Sequence, residues 1–549
     1  MYSNEISFTN TIEDNSDVKP EDLTGGGVGF DPDDTYAERY SRGEQKAGMV
    51  LWWQVGKPCS SQDFNHDQPD HGTQTTKNPF YNNVIRSRSD SGDQQHPNSD
   101  KQNSDLVKKM FTLNKSAVKK IRRNSGQTDL MLDSMCIYFY DTAAFRNNLK
   151  LRSEAYMWMV VLMGIFYTLP VFQMALFNQK YSVSSGNLDI CRFNFECMRP
   201  WVGIQDFGHV FSNISYVICG AIFLCIVVHR RNRRQALVSA GSAARDPMHL
   251  DNCGIPEQFG IFYAMGTSLI MEGILSTCYH ICPNAVSFQF DTTFMYAIGV
   301  LVFLKVYQFR HPDITQTAHV VFFVFGLVLS LEVVGYFTNH LAFWIIFMVF
   351  HIIITGIVIA YIHTNGCMQD MCINQIRSAL RNIFTCEFFD WRAGLKRGAP
   401  EIFASLINIG LAIYFYRNQK PGVSRYLLII IMANMLMYVC YYILRKLHFR
   451  FRCRNWFPTE GIHLLTILYG ILTIAFAGVG GYFFLGELRS ITQSAAVSKN
   501  LNGACFLGMY DNHDMWHFSS SLSILASFMF LLTLEDGNTR VPRHRIPVF

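Results

Sequence analysis

Residues Phe259–Tyr296 read FGIFYAMGTSLIMEGILSTCYHICPNAVSFQFDTTFMY, and their reading decides the fold. Two apolar stretches flank the connection ICPNAVSFQF, which turns the chain back. A spanning helix takes roughly 17–25 apolar residues. In lipid the backbone must satisfy its own hydrogen bonds, so segments of this length cross as helices. Extended along the chain, the same reading predicts spans at Tyr156–Phe177, Phe211–Val228, Phe259–Tyr279, Phe290–Phe309, Ala318–Phe337, Leu341–Tyr361, Ile402–Tyr416, Tyr426–Leu444, Gly461–Leu485 and Trp516–Leu534. The expected fold is an all-α polytopic membrane protein with about ten transmembrane helices after a disordered N-terminal region.

Composition agrees. The chain has 549 residues, 49% hydrophobic and only 16% charged, against about a quarter charged in a soluble domain. Residues 1–150 are polar, as in Arg86–Asp105 (RSRSDSGDQQHPNSDKQNSD), and are expected to form a mostly disordered cytoplasmic region before a helical domain over 151–549. Met49–Val55 is apolar but too short to span, and the basic stretch Lys108–Arg123 reads as a solvated linker. The net charge of +5 lies in clusters, which suits membrane orientation better than a nucleic-acid-binding face. No opening apolar leader is visible, so the first span is expected to act as the insertion signal.

Those clusters orient the chain. HRRNRR (His229–Arg234), WRAGLKR (Trp391–Arg397), RKLHFRFRCR (Arg445–Arg454) and RVPRHR (Arg540–Arg545) fall on one side if the helices alternate. That side is read as cytoplasmic, with both termini on it. Cys191, Cys197, Cys282 and Cys505 then lie in outer loops or at their edges, where they are free thiols or two disulfides in one of three connectivities. The Asn213-Ile-Ser sequon lies too near the membrane to suit a glycan, and Asn114-Lys-Ser falls on the cytoplasmic side.

Ionisable residues inside spans are costly and become functional candidates. Glu272, Ser276 and His280 follow one another in steps of four on one helix face, ~6 Å apart per step. His280 is at the outer end, and Asp291 opens the next span at the same depth. His513 and His517, again four apart, open the last span at that level. Three imidazoles with a fourth position open or taken by Asp291 suit Zn²⁺. Such an ion would lower the pKa of a bound water to about 7, with Asp291 and Ser276 as catalytic partners and Glu272 behind them. His351 and Glu332 are expected to make interhelical hydrogen bonds, and Lys305 to snorkel to the cytoplasmic face. Two matches to a proposed cholesterol motif, at Leu304–Arg310 and Val439–Arg445, are too permissive to add weight. No phosphate-binding Gly loop, nucleic-acid-sized polar stripe or inverted repeat is visible.

Phe259–Tyr296, VYQFRHPDI (Val306–Ile314), YDNHDMWHFSSS (Tyr510–Ser521), GNLDICRFNFECMRP (Gly186–Pro200) and the terminal IPVF together resemble the systemic-RNA-interference-defective (SID) transmembrane family. The pattern Ser-x3-His, Asp eleven residues on, then His-x3-His is similar to that of the wider superfamily of alkaline ceramidases and adiponectin-type receptors. The resemblance implies zinc held by His280, His513 and His517, with Asp291 and Ser276 acting through its water. It implies double-stranded RNA transport, with cholesterol binding or uptake and ceramidase-like lipid hydrolysis as alternatives. It further implies membrane-lipid partners, a homodimer, and residence in the plasma or lysosomal membrane. Relative to the family, the chain is expected to lack the N-terminal ectodomain and the first helix.

Overall fold

A computed structural model describes residues 130–131, 143–187, 189–243, 253–255, 258–284, 287–310, 318–338, 341–365, 391–417, 422–452, 460–491, 497, 505–539, 541 and 546–548. All of them lie in the unit Ala47–Phe549. The readings placed on Arg86–Asp105, Met49–Val55, Lys108–Arg123, Asn114 and most of Arg540–Arg545 fall outside the described residues.

Each predicted span is a helix, and most run beyond their apolar windows. They are α1 (Ala143–Ser185), a short α2 (Phe207–Ser212) continued by α3 (Ile214–Ala243), α4 (Gly260–Ile281), α5 (Phe288–Arg310), α6 (Ala318–Phe337), α7 (Leu341–Asn365), α8 (Trp391–Arg417), α9 (Gly422–Arg452), α10 (Leu464–Ile491) and α11 (Asn512–Thr533). Among the described residues eight helical segments are long and apolar enough to cross a membrane. Leu341–Ile357 and Ile402–Arg417 form two shorter apolar stretches. The protein is therefore an all-α polytopic membrane protein. One small addition is an antiparallel pair of two-residue strands, β1 (Leu130–Met131) and β2 (Pro547–Val548), which joins the segment before α1 to the C-terminal tail. Both β1 and the start of α1 fall inside the region expected to be mostly disordered.

Burial separates lipid-facing helices from central ones. In α4 and α5, 72% of the apolar window is buried, against 11% in α9 and α10. Apolar side chains facing lipid need no burial in protein, so the buried pair marks the heart of the bundle. Helix α4 packs against α1, α3 and α5, while α11 packs on α3 and α10. Close approach of α3 to α4 needs glycine. A Cβ at Gly220 would stand 2.9 Å from the Gly266 carbonyl, and one at Gly266 would stand 2.7 Å from Leu224.

Two disulfides, Cys191–Cys282 and Cys197–Cys505, tie the connection after α1 to the ends of α4 and α11. They resolve the three connectivities open to the sequence, and they join the four cysteines read as lying on one side. Asn213 is buried and donates to the His209 carbonyl at 2.8 Å, which removes it as a glycan acceptor.

The opposite end is closed by a buried ionic network. Arg310, ending α5, meets Glu460 at 2.7 Å and Glu535 at 3.0 Å, and donates to the Tyr442 hydroxyl and the Pro547 carbonyl. Lys446 reaches the same two carboxylates, each at 3.1 Å. Two cations face two anions, the arrangement that makes burial of charge tolerable. Glu460 lies just before α10. Burial alone would raise its carboxyl, but Arg310 and Lys446 outweigh that and hold it well below the usual carboxylate range.

Lys305 does not snorkel. It is buried, with Nζ donating to the Gln258 carbonyl at 2.9 Å and to Gln308 Oε1 at 3.0 Å, and lying 4.4 Å from the Phe262 ring centroid. Backbone and amide acceptors inside the bundle replace the water a snorkelling ammonium would seek. His351 bonds Tyr426 and Asn408, at 2.9 and 3.0 Å, as an interhelical link.

A convergent imidazole centre at the disulfide end

Helix periodicity builds one wall of the site. In α4, Glu272, Ser276 and His280 share a face and are 1%, 2% and 2% exposed. Asp291 lies in the first turn of α5 and is also buried. Its carboxylate is within hydrogen-bonding reach of Ser276, and Asp291 Oδ1 has no hydrogen bond of its own.

Helix α11 supplies the other wall, and its cap sets the angle. Asp511 Oδ1 accepts from the backbone amides of His513, at 2.8 Å, and Asp514, at 3.1 Å, while Asp514 Oδ2 accepts from the Asp511 amide at 2.9 Å. This reciprocal box fixes the first turn and so the directions of His513 and His517. Burial would raise the Asp511 carboxyl, but the His209 and His513 imidazoles, the Asp514 amide and Asn194 outweigh it, and the shift is downward.

The three sequence-predicted histidines meet. Ring centroids are 5.0 Å apart for His280–His513, 4.8 Å for His280–His517 and 4.5 Å for His513–His517. One nitrogen of each lies within 4.8 Å of the others. Asp291, also predicted as a ligand, is not in that mutually close set; it stands by Ser276. Both nitrogens of His280 and Nε2 of His513 and His517 have no hydrogen bond. An unsatisfied buried polar atom costs about 1–3 kcal/mol, so converging orphans call for an explanation. Neutral imidazoles with lone pairs turned inward are the donor set Zn²⁺ takes.

A serine from the α2 terminus sets one ring. Ser212 Oγ is 2.8 Å from His517 Nδ1 and donates to the His209 carbonyl at 2.9 Å. A hydroxyl has one hydrogen. With that hydrogen given to the carbonyl, Ser212 accepts from Nδ1–H, which leaves the His517 Nε2 lone pair for the centre.

Sequence reasoning missed the residues around His209. Its ring centroid is 5.2 Å from that of His280 and 5.5 Å from that of His513. Asp206, Asp511 and Asp514 surround it, with contacts of 3.1, 3.5 and 3.6 Å. The only signals in the sequence are the paired Asp-x2-His at 206–209 and Asp-x2-Asp at 511–514, the second of which is a capping-box spacing.

The family model that matches residues 71–549 is described as dsRNA-gated channel SID-1. SID1 transmembrane family member 1 of Rattus norvegicus is 35% identical over 407 residues, covering 72% of this chain and 47% of that protein. The Homo sapiens protein of the same name is 33% identical over 427 residues, 77% of this chain and 50% of its own length. Cholesterol uptake protein 1 of Caenorhabditis elegans is 30% identical over 407 residues, 73% of this chain and 52% of that protein. The chain spans about half the length of the curated relatives it matches.

Proposed function

Because the chain belongs to the SID-1 transmembrane family, we propose that it serves the movement of double-stranded RNA across a membrane and carries Zn²⁺ on His280, His513 and His517. The observation that carries the reading is the set of three buried imidazoles whose unpaired nitrogens face one another, in a chain matched over 71–549 by a channel family model. In this reading the disulfide end faces the exoplasm, where such bonds persist, and both termini are cytoplasmic. The plasma or lysosomal membrane is the proposed location, with a homodimer as the assembly.

Two measurements test the halves separately. Purified protein should hold one Zn²⁺, lost in His517→Ala; a metal-free wild type ends the zinc half. Cells expressing the chain should take up labelled double-stranded RNA above mock-transfected cells, and no gain ends the transport half.

Ser276 and Asp291 beside the triad favour a second reading, a ceramidase-like hydrolase of lipid amides or esters. Zinc, when bound, would supply Lewis acidity and an activated water. Asp291 would take the water's proton at the unbonded Oδ1, and Ser276 would orient that carboxylate. Glu272 is buried a turn below on the same face. Asp291→Asn should abolish turnover of a ceramide or ester probe while zinc content stays; a zinc-replete wild type without turnover refutes this reading. Sterol binding is suggested by the name of the Caenorhabditis elegans relative, and photo-crosslinking with a sterol probe tests it.

A further inference from the structure

The proposal above gives the cage around His209 no ligand role, although its Asp511–Asp514 box orients His513 and His517. Its members come from the starts of α2 and α11, which the Cys197–Cys505 bridge and a tight contact hold together. A Cβ at Gly208 would collide with the Met509 carbonyl. Each aspartate spends one oxygen on its own helix. Asp206 Oδ1 accepts from the His209 amide, Asp511 Oδ1 from the amides of 513 and 514, and Asp514 Oδ2 from the amide of 511.

The remaining oxygens have less to do. Asp206 Oδ2 stands 3.1 Å from His209 Nδ1, and Asp511 Oδ2 stands 3.5 Å from Nε2 and accepts from Asn194 at 3.2 Å. Asp514, 0% exposed, keeps Oδ1 without any hydrogen bond. Three buried carboxylates thus face one imidazole. Among the described residues no Lys or Arg pairs with Asp206, Asp511 or Asp514, whose only ionic partner there is His209. Uncompensated buried charge is among the costliest features a fold can carry.

We infer that His209, Asp511 and Asp514 form a second cation site, separate from the imidazole triad, that takes one divalent cation. One ligand atom from each lies within 4.8 Å of the others, which is within the reach of a shared ion after small side-chain adjustments. Asp206 Oδ2 stands 3.1 Å from His209 Nδ1, where it can orient the ring, while Asp514 Oδ2 is 3.6 Å from the same nitrogen and Asp511 Oδ2 is 3.5 Å from Nε2. Two carboxylates with one imidazole favour a harder ion than the triad does, of the Mn²⁺ class. The His209 side chain, 11% exposed against 3% or less for its partners, is the side open to solution. Because the His209 ring lies against two members of the triad, the two ions would share a wall.

The test loads the full-length purified chain with Zn²⁺ and then titrates it with Mn²⁺, following free Mn²⁺ by electron paramagnetic resonance and both metals by mass spectrometry. One saturable Mn²⁺ per chain is expected in wild type and in His517→Ala, with binding at least tenfold weaker in Asp514→Asn and Asp206→Asn. Melting temperature and gel filtration verify folding; if Asp514→Asn fails to fold, Asp206→Asn, which leaves the α11 capping box intact, decides. Absence of saturable Mn²⁺ in wild type overturns the inference, and so does undiminished binding in the folded aspartate variants. Loss of Mn²⁺ in His517→Ala alone assigns it to the triad and also overturns it. Zinc content read on the same samples reports separately on the triad.

Discussion

Replacing Ser212 by alanine removes one oxygen and isolates its role at His517. The hydroxyl is fully buried and bridges His517 Nδ1, at 2.8 Å, to the His209 carbonyl, at 2.9 Å. Without it, Nδ1–H loses its acceptor, and the ring is free to tilt or to place its proton on Nε2, the nitrogen proposed to take the metal. Loss of such a ligand-orienting partner typically weakens metal binding 10–100-fold, or about 1.4–2.8 kcal/mol. The assay is competition for Zn²⁺ against a chelator of known affinity on detergent-solubilised protein, with thermal melting alongside. A folded Ser212→Ala variant that keeps wild-type affinity within about threefold refutes the argument that Ser212 sets the tautomer. Ser212→Cys, which keeps a weak acceptor, should fall between the two.

Other expectations follow from the same geometry. Arg310→Met strands Glu460 and Glu535 beside a single remaining cation, Lys446, and should destabilise the fold by about 3–5 kcal/mol, read as a lowered melting temperature. The ion pairs lower the Glu460 carboxyl, so their stabilising effect is complete above the ordinary carboxylate pKa of about 4.3 and declines as pH falls below it. A melting profile that is flat below pH ~4 in wild type, or that is as steep in Glu460→Gln, contradicts this. Cys197→Ser should cost about 2–5 kcal/mol and reduce metal occupancy, because Cys505 anchors the approach to α11; unchanged occupancy would show that the capping box suffices. Gly266→Leu should force α3 and α4 apart and reduce the yield of folded protein, and normal yield would mean the helices have room to slide.

What could be read from the chain follows from which forces act locally. Spans are local, because apolar run length alone decides them, and Ala318–Phe337 agrees with the structure at both ends. Helix ends are less legible. Helix α1 continues past Phe177 to Ser185 through polar residues that favour neither state strongly. The triad was legible because strict helix periodicity and alternation of direction carry three histidines to one level. The position of Asp291 was not, since depth says nothing of distance within the plane. Disulfide partners are equally invisible, as nothing near Cys191 marks Cys282 as its mate. Lys305 misled because a lysine near a helix end reads the same whether it turns outward or inward. Asp206, Asp511 and Asp514 carried no signal of their own, because acidic residues at such positions serve as helix caps, as these do.

The 308-residue separation of Cys197 and Cys505 has a consequence for biogenesis. At about 5–20 residues per second, the ribosome exposes Cys197 roughly 15–60 s before its mate. The shorter pair, Cys191–Cys282, can close during that wait and take away the nearer rival thiols. When Cys505 emerges, Cys197 is the remaining thiol of the set. Order of synthesis thereby keeps Cys505 out of the first bridge. The last covalent link forms only as the closing helix brings two of the three imidazoles, so the triad is assembled only after Cys505 has been made.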